Sequence, residues 1–252
     1  MGKDSEAFHQ SLQLVGGSTV RHEGSLSYEL VPPRQMGPEA PPLLVLLHGG
    51  GANEGDLLGL VPYLDPRFQI AAARAPHRVE AGAYSWFRTT FTAGGPVVHE
   101  GQEADSRKAL ATFIDGVIAR HGADHRRVFL LGFSQGATVA LSLALTVPRQ
   151  IAGVVAIGGR MLREVLPSMA SAARVAGLPV FVAHGIHDDV VPIGRARATR
   201  EFLRGLGLEL AYREYPSGHQ ISAQALTEIA AWLADRLDAP PRRAAAPDAA
   251  DR

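Results

Sequence analysis

Cysteine is absent from this sequence of 252 residues. Its absence excludes a disulfide framework, a thiolate nucleophile and thiolate metal sites. It does not identify the compartment, because a protein without thiols is compatible with either redox environment. Net charge is absent as well, since 25 lysines and arginines balance 25 aspartates and glutamates. No overall electrostatic field therefore favours nucleic acid or an anionic membrane as a partner.

Long apolar segments are also missing. The longest apolar runs, such as residues 43–47, are far too short to cross a bilayer. Residues 1–10 are polar and charged and lack the apolar core of a secretory signal. Glu6 occupies the position where a myristoylation signal needs Ser or Thr. We therefore expect no transmembrane segment and, by default, a cytoplasmic location.

The sequence does contain enough apolar residues, 46% of the total, for one substantial core. Its length fits one large domain, which we place at residues 23–238. Residues 1–22 carry little signal, although the apolar residues around Leu14 are compatible with an edge strand. Residues 239–252 are rich in Pro, Ala, Arg and Asp, a composition typical of a flexible tail.

Apolar strands alternate with helical patterns along most of this domain. Residues 43–47 are apolar on both faces, which indicates a strand covered on both sides, as in the centre of a parallel sheet. From Gln102 an apolar stripe recurs at helical spacing until Gly122. The alternation predicts an α/β fold with three layers, in which helices cover both faces of a mostly parallel central sheet.

Three segments are less regular. Residues 57–64 predict a short helix capped by Asn53 or Asp56. Residues 76–101 show no periodicity, and because the segment is long and contains aromatic residues we expect a functional loop. Residues 161–175 predict a helix interrupted by a proline.

The stretch at residues 128–136 is a short buried strand followed at once by Gly-x-Ser-x-Gly and a helical pattern. On so tight a strand-to-helix turn, Ser134 is forced into a strained backbone with its hydroxyl exposed. Flanking glycines are needed there because a Cβ would collide with the neighbouring strand and helix. Ser134 is therefore a candidate nucleophile.

A serine nucleophile needs an imidazole to remove its proton and a carboxylate to orient that imidazole. His219, in the turn after the last strand, can supply the imidazole, and either Asp188 or Asp189 can supply the carboxylate. An oxyanion needs two N–H donors, for which we predict the backbone of Gln135 and of Gly50. All of these residues follow predicted strands, where ligands bind in open α/β sheets.

Five motifs together resemble the α/β-hydrolase fold and, more narrowly, its phospholipase/carboxylesterase family, which includes acyl-protein thioesterases. They are Leu47-His48-Gly49-Gly50-Gly51, Trp86-Phe87, Gly132-Phe133-Ser134-Gln135-Gly136, His184-Gly185-x-x-Asp188-x-x-Val191-Pro192 and Gly218-His219-x-x-Ser222. The resemblance implies a serine hydrolase of carboxylic esters or thioesters that needs no cofactor. Its spacing selects Asp188 over Asp189 as the acid, and its order of Ser134, Asp188 and His219 is that of the family.

The resemblance also implies a substrate pocket, for which we predict five residues. Trp86 is equally compatible with a core position and a pocket wall. Arg88 and Arg160 replace residues that are usually Asp and apolar in the family, so this small-molecule substrate is expected to differ from a long lipid chain and to carry negative charge. The five predicted residues are Trp86, Phe87, Arg88, Arg160 and Val191.

Three alternatives stay open at this point. The same fold and residues suit a serine peptidase or amidase, and they also suit a relative that binds a ligand without catalysis. His184 and His187 beside two aspartates resemble part of a zinc site, although a third convergent ligand is not evident. The sequence leaves the oligomeric state open, a dimer included.

Overall fold

The structure is a computed structural model that describes residues 20–92, 95–148 and 151–240. The strands in these residues are β1 (Arg21–Glu23), β2 (Leu26–Val31), β3 (Pro42–Leu47), β4 (Gln69–Ala73), β5 (His77–Glu80), β6 (Ala83–Ser85), β7 (Thr89–Thr92), β8 (Gly95–Val98), β9 (Asp124–Phe133), β10 (Gly153–Ile157), β11 (Pro179–Gly185) and β12 (Glu209–Tyr215). The α-helices are α1 (Glu100–His121), α2 (Gln135–Thr146), α3 (Ala172–Val175), α4 (Ile193–Arg204) and α5 (Ala223–Asp238).

Eight of the strands form one sheet in the order β1-β2-β4-β3-β9-β10-β11-β12. The pairs from β4 to β12 are parallel, and the two pairs at one edge, β1 with β2 and β2 with β4, are antiparallel because β2 runs in the opposite direction. Alternate residues of β3 face two different cores. Leu43, Val45 and Leu47 lie in the core that includes residues of α1 and α2, whereas Leu44 and Leu46 lie in the core with α5. The predicted three-layer α/β fold is therefore confirmed.

The register of the parallel strands brings their carboxyl ends to one edge of the sheet. Leu47 at the end of β3 pairs with Gly132 of β9, and Ile157 at the end of β10 pairs with Phe133. The polar residues that follow these strands therefore meet along the same edge, as expected for a parallel sheet.

The irregular segment at residues 76–101 was wrongly predicted as a loop. It contains two antiparallel hairpins, β5 with β6 and β7 with β8. Each strand has only three or four residues, too short for an alternating pattern to stand out from the sequence. The first hairpin is attached to the turn after β3, because Tyr84 and Ala52 form a β-bridge.

Two predicted helices were also wrong in kind. Residues Leu58–Tyr63 form a 3₁₀ helix with no side-chain cap, because the Asn53 side chain instead accepts a hydrogen bond from Gly55 N–H. The predicted helix at 161–175 is a 3₁₀ helix at Arg163–Ser168 followed by the four-residue α3. Both 3₁₀ helices contain a proline, which removes a hydrogen-bond donor and disfavours a longer α-helix.

The predicted ends of the domain are only partly described. β1 begins at Arg21 and pairs with β2, so the last residues of the segment 1–22 belong to the sheet. The apolar residues around Leu14 and almost all of the predicted tail, residues 241–252, lie outside the described residues. No helix in the described ranges is long and apolar enough to span a membrane.

Candidate active site

Ser134 lies on the turn between β9 and α2 with φ of 54° and ψ of −114°, the one positive φ of a non-glycine residue in the described ranges. Its N–H donates to the Ile157 carbonyl at 2.8 Å, which ties the turn to β10. A non-glycine residue in such a conformation costs about 1–3 kcal/mol, and such residues are concentrated at functional sites. The strained backbone predicted for the serine is present.

Two glycines make this turn possible. A Cβ on Gly132 would lie 2.4 Å from the Gly136 carbonyl, and a Cβ on Gly136 would lie 2.0 Å from the Leu47 carbonyl oxygen. Neither separation is compatible with van der Waals contact. The close packing of α2 against β3 and β9 therefore depends on glycine at both positions.

His219 lies between Ser134 and Asp188. The Ser134 hydroxyl is 3.0 Å from His219 Nε2, and His219 Nδ1 is 2.7 Å from Asp188 Oδ2. Because an ionised carboxylate only accepts hydrogen bonds, Nδ1 carries the proton and Nε2 is free to accept the serine proton. The Phe133 ring packs on the imidazole with its centroid 4.8 Å away. This is the arrangement that a base needs in order to activate a serine.

Asp188 is held by its own loop. Its Oδ1 accepts hydrogen bonds from Val190 N–H at 3.0 Å and Val191 N–H at 2.7 Å, and its side chain is almost fully buried. Asp189, the alternative carboxylate, is exposed. The loop therefore directs Asp188, and not its neighbour, toward the imidazole.

His184 supports the same loop from within the core. Its Nε2 lies 2.7 Å from the Val191 carbonyl oxygen, to which it donates, and 3.3 Å from Asp188 Oδ2. His187, its partner in the zinc alternative, is exposed. No group of three or more potential metal ligands occurs in the part of the chain that the structure describes.

The loop after β3 is fixed by hydrogen bonds to its carbonyl groups. Trp86 Nε1–H donates to the His48 carbonyl at 2.9 Å, and His48 Nδ1–H donates to the Gly49 carbonyl at 2.6 Å. Since the C=O and N–H of a trans peptide point in opposite directions, the bond to the Gly49 carbonyl turns the Gly50 N–H away from His48. Gly50 itself lines the cleft beside Ser134.

Gln135 contributes its side chain as well as its backbone. Its Oε1 accepts from Trp86 N–H at 3.1 Å, and its Nε2 donates to the Phe87 carbonyl at 3.1 Å. A Cβ on Gly50 would lie 2.7 Å from the Gln135 amide carbon, so glycine makes room for this amide. The Gln135 side chain thus connects its own turn to residues 86–87 and packs beside Gly50, around the predicted oxyanion hole. The sequence alone did not indicate this role.

His48 is neutral in this arrangement. It is 1% exposed, and its Nε2 accepts a hydrogen bond from Ala75 N–H at 3.0 Å, which only an unprotonated nitrogen can do. Burial lowers the pKa of the imidazole, and the opposing effects of the Gly49 carbonyl, Asp56 and Glu54 are smaller. The contribution of neutral His48 to stability is therefore complete above the unfolded pKa of about 6.5 and is lost as the pH falls through the lower folded pKa.

We expect His48→Gln, which keeps one donor and one acceptor, to weaken the acid dependence of folding. The unfolding free energy of the wild type should fall more steeply than that of the variant between about pH 7 and pH 5, because only the wild type must keep the buried imidazole of His48 neutral. Urea unfolding across this range measures the difference. His187→Gln is the matched control on an exposed histidine, and equal slopes for the wild type and His48→Gln would contradict the prediction.

A cleft of about 810 Å³ opens above Ser134. Most of the residues predicted for the substrate and the oxyanion line it, namely Gly50, Phe87, Arg88, Gln135, Arg160 and Val191. Trp86 does not. Its side chain is fully buried beneath the cleft, so the core position is the correct one of its two alternatives, and the residue contributes through its indole N–H.

Several lining residues were missed by the sequence analysis. Thr138 is four residues after Ser134 on α2, and Arg195 is three residues after the Pro192 of the fourth motif. Helical spacing from Ser134, the predicted nucleophile, was the signal that could have identified Thr138. Those on the β5–β8 hairpins could not be identified, because the hairpins themselves were not predicted. The missed residues include Arg78, Val79, His99, Thr138, Val190 and Arg195.

Comparisons with known proteins agree on one group. A family model described as Phospholipase/Carboxylesterase matches residues 34–236. The putative hydrolase MhqD of Bacillus subtilis is 27% identical over 197 residues, which cover 77% of this chain and 94% of that protein. Acyl-protein thioesterase 1 of Eremothecium gossypii is 28% identical over 208 residues, 77% of this chain and 88% of that protein. A carboxylesterase structure from Mesorhizobium loti shares the fold, with a TM-score of 0.74 and 24% identity over 86% of this chain and 98% of that chain.

Proposed function

The chain belongs to the phospholipase/carboxylesterase family of α/β-hydrolases, and from this premise we propose that it cleaves carboxylic esters or thioesters through an acyl-enzyme on Ser134. The family makes it a hydrolase of the carboxylesterase and acyl-thioesterase class. The assignment of the chemistry to particular residues rests on one observation, the placement of His219 within hydrogen-bond distance of both Ser134 and Asp188.

In the first half of the reaction, Ser134 Oγ attacks the carbonyl carbon while its proton passes to His219 Nε2. Asp188 stabilises the resulting imidazolium through Nδ1–H, and it keeps the ring in the required tautomer. As the tetrahedral intermediate collapses, the bond to the alcohol or thiol breaks. The leaving group takes the proton from Nε2 and departs, and the acyl group stays on the serine.

The negative charge that develops on the carbonyl oxygen needs fixed N–H donors. The Gln135 N–H is at the start of α2, where the helix dipole also favours negative charge. The Gly50 N–H is the second candidate donor, because the bond from His48 to the Gly49 carbonyl sets the orientation of that peptide. Donors arranged before the reaction begins need no reorganisation during it, and removing one typically lowers kcat about 10²–10³-fold.

In the second half, a water molecule replaces the leaving group. His219 Nε2 removes a proton from this water as it attacks the acyl carbon, and it then returns the proton to Ser134 Oγ. The carboxylic acid is released, and the enzyme regains its starting state. Every proton transfer uses the same nitrogen, so a single imidazole is sufficient for both halves.

Covalent labelling tests the proposal. A fluorophosphonate should modify the native protein at one residue, and peptide mapping should identify that residue as Ser134. With 4-nitrophenyl acetate, stopped-flow measurements should show a burst of nitrophenol equal to the enzyme concentration, because the acyl-enzyme accumulates. Native protein that neither labels nor hydrolyses esters would refute the proposal and favour a relative that only binds.

Hydrolysis measurements also separate an esterase from a peptidase or amidase. Esters and anilides with identical acyl groups should be compared, and we expect turnover of the ester only. Comparable turnover of the anilide would assign the protein to the amidase alternative while leaving the catalytic residues unchanged.

A further inference from the structure

Positive charge is concentrated around the cleft, although the chain as a whole is neutral. Four arginines line the cleft, and neither aspartate nor glutamate is among its described lining residues. Two of the arginines come from the segments around β5 and β7, one comes from the loop after β10, and one comes from the first turn of α4. They are Arg78, Arg88, Arg160 and Arg195.

Arg160 is fixed close to the nucleophile. Its N–H donates to Thr138 Oγ1 at 3.3 Å, one helical turn from Ser134. The preceding Gly159 packs so closely on α2 that a Cβ there would lie 2.5 Å from Ala137 Cβ and 3.0 Å from the Ser134 carbonyl oxygen. The main chain at Arg160 therefore cannot move far from the catalytic turn.

The guanidinium of Arg160 is half-buried, yet it forms no ion pair or hydrogen bond within the described ranges, and neither does that of Arg195. Several other arginines do have carboxylate partners. Arg67 contacts Asp65 at 2.8 Å, and Arg197 contacts Glu214 at 2.8 Å. A cation that is partly removed from water without a partner is unfavourable, which makes such a group a candidate for binding an anion.

The charge of Arg195 also affects Arg160. Burial and, second to it, the positive charge of Arg195 lower the pKa of the Arg160 guanidinium, and Glu164 opposes this less strongly. The guanidinium still remains protonated at physiological pH. An anion bound by both arginines would reduce their repulsion. It would also accept the hydrogen bonds that the half-buried Arg160 no longer makes to water.

Building on the proposed function, we propose that the substrate is an anionic ester or thioester, whose carboxylate or phosphate is bound by Arg160 and Arg195. The two planar guanidinium groups offer paired N–H donors that match the oxygens of either anion. Arg78, Arg88 and Arg195 are exposed at the lining of the cleft, where their charge increases the local concentration of an anionic substrate.

Matched pairs of substrates test the proposal and distinguish two positions of the anion. In the first pair, 4-nitrophenyl glutarate carries a carboxylate on the acyl group, and 4-nitrophenyl valerate carries a methyl group in its place. In the second pair, butyryl-coenzyme A carries phosphates on the leaving group, and butyryl-N-acetylcysteamine lacks them. We expect kcat/KM to favour the anionic member of at least one pair by about tenfold or more, and added salt to reduce the preference.

Variants assign the preference to particular residues. Arg160→Gln and Arg195→Gln should each reduce the anionic-to-neutral ratio of kcat/KM by about tenfold, and Arg160→Lys, which retains the charge, should reduce it less. Arg163→Gln is the matched control, because Arg163 is exposed nearby and does not line the cleft. No preference in either pair, or a preference that Arg160→Gln and Arg195→Gln leave intact, would overturn the proposal.

A binding measurement separates this proposal from the catalytic one. Calorimetry with Ser134→Ala and each of the two anionic substrates, 4-nitrophenyl glutarate and butyryl-coenzyme A, reports binding without turnover. Binding that weakens about tenfold in Ser134→Ala/Arg160→Gln supports the anion site even if wild-type protein hydrolyses no ester. Equal affinity of the two proteins for both substrates, or no binding of either substrate, would reject the anion site whatever the outcome of the labelling experiment.

Discussion

Ser134→Ala is expected to lower kcat/KM for a 4-nitrophenyl ester by about 10⁴–10⁶-fold, with the fold retained. His219→Ala is expected to cause a loss of the same order. The physical reason is that, in the proposed mechanism, Ser134 and His219 act in one step, in which attack by the hydroxyl and removal of its proton occur together. Neither group alone accelerates the reaction much, since an unassisted hydroxyl is a weak nucleophile.

The double variant gives the sharper test. If the two residues form one catalytic unit, Ser134→Ala/His219→Ala should be no slower than the slower single variant, because residues that act together are strongly non-additive. Steady-state kinetics on all four proteins measure this, and circular dichroism checks their folding. Ser168→Ala, an exposed serine outside the cleft, serves as the control. Losses that multiply in the double variant would show that the residues act independently and would contradict the assignment.

Gly136→Ala is expected to lower the unfolding free energy by at least about 4 kcal/mol, among the largest effects of a single methyl group. The added Cβ would lie 2.0 Å from the Leu47 carbonyl oxygen and 2.7 Å from that of His48. These atoms are backbone and cannot rotate away as a side chain can. Relief requires α2 to move away from β3, which would also separate Ser134 from the loop that carries Gly50.

Urea unfolding of the wild type and the variant measures the effect, and failure of Gly136→Ala to fold at all is an outcome in the same direction. Gly194→Ala is the matched control, because nothing lies within 4 Å of a Cβ at this position in the first turn of α4. We expect Gly194→Ala to change stability by no more than about 1 kcal/mol. Equal stabilities for Gly136→Ala and Gly194→Ala would disprove the close approach of α2 to β3.

The core of the fold was predictable because its signals are local and strong. The apolar run at 43–47 became the central strand β3, and the apolar stripe after Gln102 became α1, which ends at a left-handed Gly122 as the sequence suggests. The segments that failed have weak local signals. The β5–β6 hairpin is attached to the turn after β3 by a distant contact, and residues 161–175 contain a proline and few apolar positions at regular spacing.

The features of the site also differ in whether they are set by local sequence or by distant contacts. The glycines and the serine at 132–136 are required by the shape of the turn itself, so their spacing is visible in the sequence. The burial of Trp86 and the amide bridge made by Gln135 depend on how distant segments pack. The sequence left Trp86 open between the core and a pocket wall, and it held no sign of the Gln135 bridge. Packing is decided by the summed contacts of the whole core rather than by neighbours in the chain.

The sequence by itself determined the kind of protein, since Ser134, Asp188 and His219 each follow a strand in the order that the fold requires. The tertiary structure alone decided what surrounds them. It brings Ser134 within 3.0 Å of a histidine 85 positions away, and it brings four arginines from four separate segments to one cleft. The physical reason is that a strand or turn is set by local backbone preferences, whereas the charge of a cleft is set by the packing that brings distant loops together.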